Sequence, residues 1–228
     1  MALEEIEGDP HSTQLQPPYL KVYTGPTPNG FKITTLLKLL NVEFQRREMD
    51  MGKGEHKQPW YLKIHPDGRV PAISDVDVDG NRTVLFESAI ILEYLADKYD
   101  TERKYSYDKS SPLYWKQMEW LVYGSANNDP VQGAAFFHIL VLKTDPPGGK
   151  DAYVQQTNRI LKVYNDRLVE NNGWFVGDHL NIADIGIIAF LKVSVESLGI
   201  KLDAFPAVAD WMKRVTDISG VGESISGA

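Results

Sequence analysis

The 228-residue chain contains no cysteine. That excludes a disulfide framework, a thiolate metal cluster, a cysteine nucleophile and a Cys-x-x-Cys redox pair. Any sulfur chemistry here must use sulfur carried by a bound small molecule. Positive charge is also scarce: 24 Lys and Arg stand against 31 Asp and Glu, a formal net charge of −7. This balance argues against a protein built to grip nucleic-acid phosphates. Long apolar runs are missing too. Ile185 to Leu191 is the longest uncharged apolar stretch of note, far short of the ~20 residues a membrane helix needs. His11, His56, His65, His138 and His179 are scattered without ligand spacing, so no metal is expected. No G-x-x-x-x-G-K-S/T loop offers a nucleotide-phosphate cradle. The start, Met1 to Pro18, is acidic and polar and has neither the basic opening nor the apolar core of a signal peptide. A cytoplasmic location is the expectation.

What is present is ordinary globular composition, 43% hydrophobic and 11% aromatic, enough for one large or two small cores. Residues 1–18 read as an arm, flexible or ordered on contact. Leu20 to Thr24 alternates like a strand and meets a dense turn, Gly25-Pro26-Thr27-Pro28-Asn29-Gly30. Ile33, Leu36, Leu37 and Leu40 then form a helical stripe, and Val42 to Met49 is a second strand. This strand–helix–strand order calls for parallel pairing. A short helical segment over 55–64 and the turn His65-Pro66-Asp67-Gly68 lead into strands at 70–74 and 82–86, joined at Asp79-Gly80-Asn81. A helix carrying Leu92, Leu95 and Tyr99 closes this part. Beyond a linker at 101–111 strand alternation stops. Helical runs are expected at about 112–128, 151–170, 181–197 and 204–217, with a break at Asp129-Pro130 and a frayed tail from Ser219. The reading is an α/β domain over 19–100 and an all-helical domain over 112–228.

Three local features could carry chemistry. Thr27-Pro28-Asn29-Gly30 opens a helix, whose free N–H groups and partial positive charge favour an anion, although a capped turn explains the same residues. Arg69-Val70-Pro71 places a proline at the start of a strand. There a cis bond would turn the Val70 main chain outward to pair with an extended peptide, while a trans edge proline is the plain alternative. Glu87-Ser88 lies between strand and helix, where Ser88 can cap N–H groups or bind a carboxylate and Glu87 can accept an ammonium. Together the three suit a zwitterionic peptide bearing a thiol.

On these residues, residues 19–217 resemble the cytosolic glutathione transferase superfamily. Pro26-Thr27-Pro28-Asn29-Gly30-Phe31-Lys32-Ile33, Gly54-Glu55-His56 and Arg69-Val70-Pro71-Ala72 are similar to its nu class and to the group around the yeast nitrogen-catabolite regulator. Gly177-Asp178-His179-Leu180-Asn181-Ile182-Ala183-Asp184 resembles the superfamily's helical-domain box, and its Asn181/Asp184 pair is a capping box with Leu180 and Ile185 as staple. The resemblance implies a thioredoxin-like domain followed by a helical one, and glutathione as co-substrate. Glu87 and Ser88 would hold its γ-glutamyl end and Val70, before a cis Pro71, its cysteinyl backbone. His56 and Arg69 would lie near the peptide and its glycyl carboxylate, with Asn29 and Thr27 nearest the sulfur. A homodimer is implied as well. Other classes activate the thiol with a tyrosine or serine hydroxyl, or use a cysteine, which this chain lacks. Tyr23 is a candidate hydroxyl that ranks behind Asn29 because it lies in the strand. The arm contains Gln14 and Gln16 but no Asn, so the regulator's prion role does not carry over.

A thiol of pKa about 8.5 must fall by roughly 1.5–2 units to be mostly thiolate near neutrality, about 2–3 kcal/mol of differential stabilisation. One amide N–H to a thiolate supplies roughly 1.5–3 kcal/mol, and a helix N-terminus a few tenths to about one. No general base is needed. The expected reactions are disulfide reduction, peroxide reduction or conjugation to a small electrophile, with Tyr123 and Asn127 as wall candidates for the second substrate. Trp115, Trp120, Tyr114 and Tyr123 are otherwise expected to be helix packing. The alternatives are a non-catalytic carrier or sensor of apolar ligands that uses the same cleft, and an assembly domain with a vestigial site.

Overall fold

The computed structural model describes residues 8–9, 15–145 and 148–225. Its sheet has the order β2-β1-β3-β4, built from β1 (Tyr19–Thr24), β2 (Gln45–Glu48), β3 (Ala72–Val76) and β4 (Arg82–Phe86). β1 pairs parallel with β2, as a strand–helix–strand unit requires, and antiparallel with β3, which forms a hairpin with β4. The hairpin turn is held by the Asp77 carboxylate, which accepts from Asp79 N at 2.9 Å and Asn81 N at 2.8 Å. β3 starts two residues later than the apolar run suggests. Val70-Pro71 is cis, and Pro71 has no N–H to give a ladder.

The sheet is covered unequally. On one face α1 (Pro28–Leu39) and α3 (Ser88–Tyr99) pack Ile33, Leu36, Leu37, Ile91, Leu92 and Leu95 against Leu20, Val22 and Ile73. The other face carries a small aromatic layer, Tyr23, Trp60 and Tyr61 with Met49 and Ile64, part of it from the four-residue α2 (Pro59–Leu62). Tyr23 is 1% exposed with its ring 5.7 Å from that of Tyr61. Strand alternation turns it to the face of the sheet away from α1, where Asn29 lies.

After α3 the chain is ordered rather than slack: Asp100 accepts from Lys104 N, Tyr105 N and Ser106 Oγ at 2.9, 2.8 and 2.7 Å. Helices follow as α4 (Pro112–Tyr123), α5 (Asp129–Phe136), α6 (Gly149–Glu170), α7 (Ile182–Leu198), α8 (Pro206–Thr216) and α9 (Val221–Ile225). The expected break at Asp129-Pro130 does not occur. A π-helical segment, Gly124–Asn128, joins α4 to α5, and Asp129 N–H bonds to Gly124 O, five residues back. The wider turn makes room for the Pro130 ring, which in a regular helix would clash with the carbonyl four residues earlier. A second π-helical segment, Phe137–Leu142, extends the run. The tail departs from expectation as well: α9 packs against the core, with Val221 fully buried and Lys38 Nζ 3.1 Å from Ser224 Oγ.

The first half of α7, Ile182 to Leu191, is buried on every side and forms the axis of the helical part, packed by α1, α4 and α5, while Lys192 and Glu196 pair at the surface of its second half. Its start has the expected capping box, Asn181 with Asp184, and Leu180 and Ile185 are both buried beside it. Asp184 also accepts from Trp211 Nε1 at 2.8 Å, fastening α8 to the start of α7. Trp120 packs on the core with Tyr164 and Phe175, whereas Trp115 is 69% exposed, against the expectation of helix packing.

Candidate functional site

Two helix N-termini meet at the ends of β1 and β4. Thr27, with φ −129° and ψ 150°, caps α1; its Oγ1 accepts from Gly30 N at 3.1 Å, and Pro28 takes the first helical position, where its missing N–H costs nothing. Gly30 is confined: a Cβ there would press on the Thr24 hydroxyl and lie 2.7 Å from Gly25 O. Ser88 opens α3, preceded by Glu87 at φ 74°, ψ 111°, an uncommon conformation for a residue with a side chain. The Ser88 hydroxyl donates to Asn29 Oδ1 at 3.1 Å, across 59 residues of sequence. That bond uses the carbonyl side of the Asn29 amide and leaves both Nδ2 hydrogens to donate elsewhere.

The structure therefore brings together Thr27, Asn29, Ser88 and the backbone of Glu87, whose side chain is exposed. Val70 and cis Pro71 lead directly into Ala72, which pairs with Tyr23 of β1 and Phe86 of β4. Val70 thus lies just outside the ladder, on the strand between those that deliver the two helices. Its predecessor is pinned, because Tyr61 Oη donates to Arg69 O at 2.6 Å. The Arg69 side chain is 75% exposed and pairs with Asp67 at 2.5 Å. His56 sits in the 3-10 turn Glu55–Lys57, with Nδ1 buried and without a hydrogen-bond partner. Burial, followed by the neighbouring Lys57 charge, holds the His56 pKa below its ordinary value. Neither His56 nor Arg69 touches Asn29 or Ser88.

Tyr123 ends α4, its ring 5.9 Å from that of Tyr164, and Asn127 Nδ2 donates to Tyr123 O at 3.3 Å across the π-helical segment. The same segment delivers Asp129 to Lys32 of α1, one helical turn beyond Asn29. Lys32 is 1% exposed and its Nζ lies 5.1 Å over the Phe190 ring of α7. Burial pushes the Asp129 carboxyl up while the Lys32 ammonium draws it down.

Two of these neighbours went unmarked in the sequence. Lys32 reads as an ordinary helix lysine, and only the following Asp129, in a segment taken for a break, gives its charge a partner. His65 reads as part of a turn but is 4% exposed, its ring 4.8 Å from that of Phe86. Burial lowers its pKa and the nearby Glu87 charge raises it.

The sequence descriptions that match are "Glutathione S-transferase, N-terminal domain" over residues 18–97 and "Glutathione S-transferase, C-terminal domain" over 133–218. The disulfide-bond oxidoreductase YfcG of Escherichia coli is 31% identical over 208 residues, covering 90% of this chain and 94% of the relative. The chain belongs to the glutathione S-transferase family. Its fold is that of the family, a thioredoxin-like N-terminal domain with a mixed sheet and a helical C-terminal domain. A glutathione transferase homolog from Lodderomyces elongisporus, solved with two glutathiones per subunit, superposes with a TM-score of 0.84 at 32% identity, covering 93% of this chain and 99% of that one. The glutathione transferase URE2P6 from Phanerochaete chrysosporium, in complex with oxidized glutathione, gives 0.83 at 28%, covering 92% and 96%. Among the described residues, no group of three or more His, Asp or Glu could hold a metal ion, and no described helix is long and apolar enough to cross a membrane.

Proposed function

We propose that this protein is a glutathione-dependent thiol enzyme of the nu-like group, acting on small disulfides first, and on peroxides or other electrophiles with the same thiolate. The observation that carries the reading is the Ser88–Asn29 hydrogen bond, which orients an amide donor at the N-terminus of α1. The Asn29 Nδ2–H donates to the glutathione sulfur and, with the α1 N-terminus, stabilises the thiolate over the thiol. Thr27 shapes the same turn through its cap on Gly30. The Val70 main chain, before cis Pro71, pairs with the cysteinyl residue, and Glu87 takes the γ-glutamyl ammonium. Ser88 has one hydroxyl proton, already given to Asn29. The γ-glutamyl carboxylate is therefore received chiefly by the main-chain N–H groups at the start of α3. His56, whose pKa burial lowers, and Arg69, its exposed side chain paired with Asp67, serve the glycyl end.

Disulfide reduction then needs no protein sulfur. The bound thiolate attacks one sulfur of R–S–S–R, forms G–S–S–R and releases R–S⁻, which takes up a proton. A second glutathione thiolate attacks the mixed disulfide at the glutathione sulfur, giving glutathione disulfide and the second R–SH. The two-glutathione complex of the Lodderomyces homolog and the disulfide complex of URE2P6 support a site of that capacity. Tyr123 and Asn127, on the helix that runs past α1, are proposed as walls for the second substrate. The working unit is proposed to be a cytoplasmic homodimer with chain division at 19–100 and 112–228. The exposed Trp115 and Val122, two turns apart on α4, are consistent with a face meant for a second copy.

The test is glutathione-dependent reduction of a small dialkyl disulfide by wild type and Asn29→Ala. Turnover should fall at least tenfold in the variant, about 1.4 kcal/mol or more, with glutathione affinity little changed. Equal loss of turnover and binding would remove Asn29 from its role. Saturable glutathione binding with no turnover on disulfide, peroxide or aromatic electrophile would favour the ligand carrier.

A further inference from the structure

Two cations lie buried on the sheet face away from α1. Lys21 of β1 is 5% exposed and Arg47 of β2 is 9% exposed, on the side that carries Tyr23 and Trp60. Burying such charges is costly unless each meets an opposite charge. Part of that charge comes from outside the family match, which begins at residue 18. Asp9, its side chain fully buried, places Oδ2 3.0 Å from Lys21 Nζ and Oδ1 3.5 Å from both Nε and Nη2 of Arg47. The preceding residue, Gly8, lies against Trp60 at φ +96°, so close that a Cβ would come within 3.1 Å of Trp60 Cβ.

Arg47 passes this anchorage on. Its Nη1 donates to Glu55 Oε2 at 3.2 Å and to Glu48 O at 2.6 Å, and its Nη2 donates to Glu55 Oε1. Glu55 in turn accepts from Asp50 N at 2.8 Å through Oε2, and its own N–H donates to Asp50 O at 3.1 Å, closing the loop between β2 and the 3-10 turn. The next residue is His56. On its far side Lys57 Nζ donates to Asp67 O at 2.6 Å. The imidazole is therefore presented by a loop whose near end is fixed through Glu55 and Arg47 to Asp9.

We propose that Asp9 is a positioning residue for glutathione: through Arg47 and Glu55 it sets the loop that presents His56 to the peptide. The inference rests on the assignment of His56 to the glutathione site made above. Asp9→Asn keeps the size and removes the charge that faces Arg47, which loosens the hold of Arg47 on the loop through Glu55. At the proposed sulfur end, Thr27 caps Gly30 and Ser88 bonds to Asn29, contacts made by other residues than those linking Asp9, Arg47 and Glu55. Asp9 should therefore affect how tightly the peptide is held and not how fast bound thiolate reacts.

The experiment is calorimetric titration of the full chain with reduced glutathione, paired with steady-state reduction of a small disulfide, for wild type, Asp9→Asn, His56→Ala and the double variant. Asp9→Asn should raise the glutathione dissociation constant and KM about five- to tenfold, a coupling of ordinary size for a connected network. It should leave saturated kcat and its pH profile unchanged. In the His56→Ala background the same substitution should add almost nothing. A folded Asp9→Asn with a lower Tm and an unchanged KM would overturn the inference, as would full additivity with His56→Ala. Should Asp9→Asn not fold, Glu55→Gln tests the same chain at its other end, and an unchanged constant there overturns it equally. Absence of glutathione binding by wild type would instead bring down the reading of the site itself, and the inference with it.

Discussion

Asn29 and Ser88 show how single protons limit what two paired side chains can offer a ligand. An asparagine amide has a fixed set of two donors and one carbonyl, and a serine hydroxyl has one donor, so the bond between them settles what each has left to offer. Asp184 is a residue of the opposite kind, used for structure and with no reach to the cleft. It accepts from Asn181 N, Trp211 Nε1 and Phe175 N, yet complete burial pushes its carboxyl up to about 7. A carboxyl whose folded pKa exceeds its unfolded one holds its proton more tightly in the folded state. Its contribution to stability is therefore complete below about pH 4 and is lost as the pH rises through about 7. Thermal unfolding of wild type should show a Tm that declines from pH 5 to pH 8. In Asp184→Asn the part of that slope due to this group should vanish, whatever the absolute Tm. An unchanged slope would mean that the three donors keep Asp184 ionised throughout.

At the scale of elements, the Lys32–Asp129 pair ties α1 to the α4–α5 run one helical turn from Asn29, beside the larger packing of α1 on α7. The π-helical segment Gly124–Asn128 carries the chain past Pro130 and, in the same turn, brings Asp129 to Lys32. With Lys32 1% and Asp129 12% exposed at their side chains, the pair is shielded from water. Removing one partner should be worse than removing both. Asp129→Asn leaves a buried ammonium without its counter-ion and should cost about 3–5 kcal/mol in urea unfolding. Lys32→Met should cost less, because a buried carboxyl can take up a proton, and Lys32→Met/Asp129→Asn should recover most of the loss. Equal losses in all three would mean that the pair is not coupled. Helix starts were legible where the signal is local: Thr27-Pro28 and the Asn181/Asp184 box declare themselves by residue type and spacing. The continuation through Pro130 was not. A π-helical turn is a compromise between a local breaker and the packing of α5 on α6 and α7, and only the second term favours it.

Across the whole molecule, the exposed apolar pair on α4 is among several large apolar side chains that the described residues leave open to solvent. Trp115 is 69% and Val122 52% exposed, large side chains that an isolated soluble subunit has reason to cover. If the proposed homodimer uses this face, Trp115→Glu should convert the particle to a monomer in sedimentation velocity while each subunit keeps its fold. A wild-type monomer, or a dimer indifferent to the substitution, would place the interface elsewhere or remove it. The order of elements as far as α4, the missing cysteine, the caps and the α/β-then-helical division could all be read from the residues in line. Each depends on neighbours a few positions apart, and helix and strand periods report those directly. The chain by itself also placed Thr27, Asn29, Val70, Pro71, Glu87 and Ser88 at turns and helix starts. Only the folded chain decided that Ser88 meets Asn29 across 59 residues, that Lys32 meets Asp129 across 97, and that Asp9 enters the sheet domain to face Lys21 and Arg47. Such pairings depend on how strands order and helices pack, and charge or polarity written at one position does not reveal which distant partner burial will bring to it.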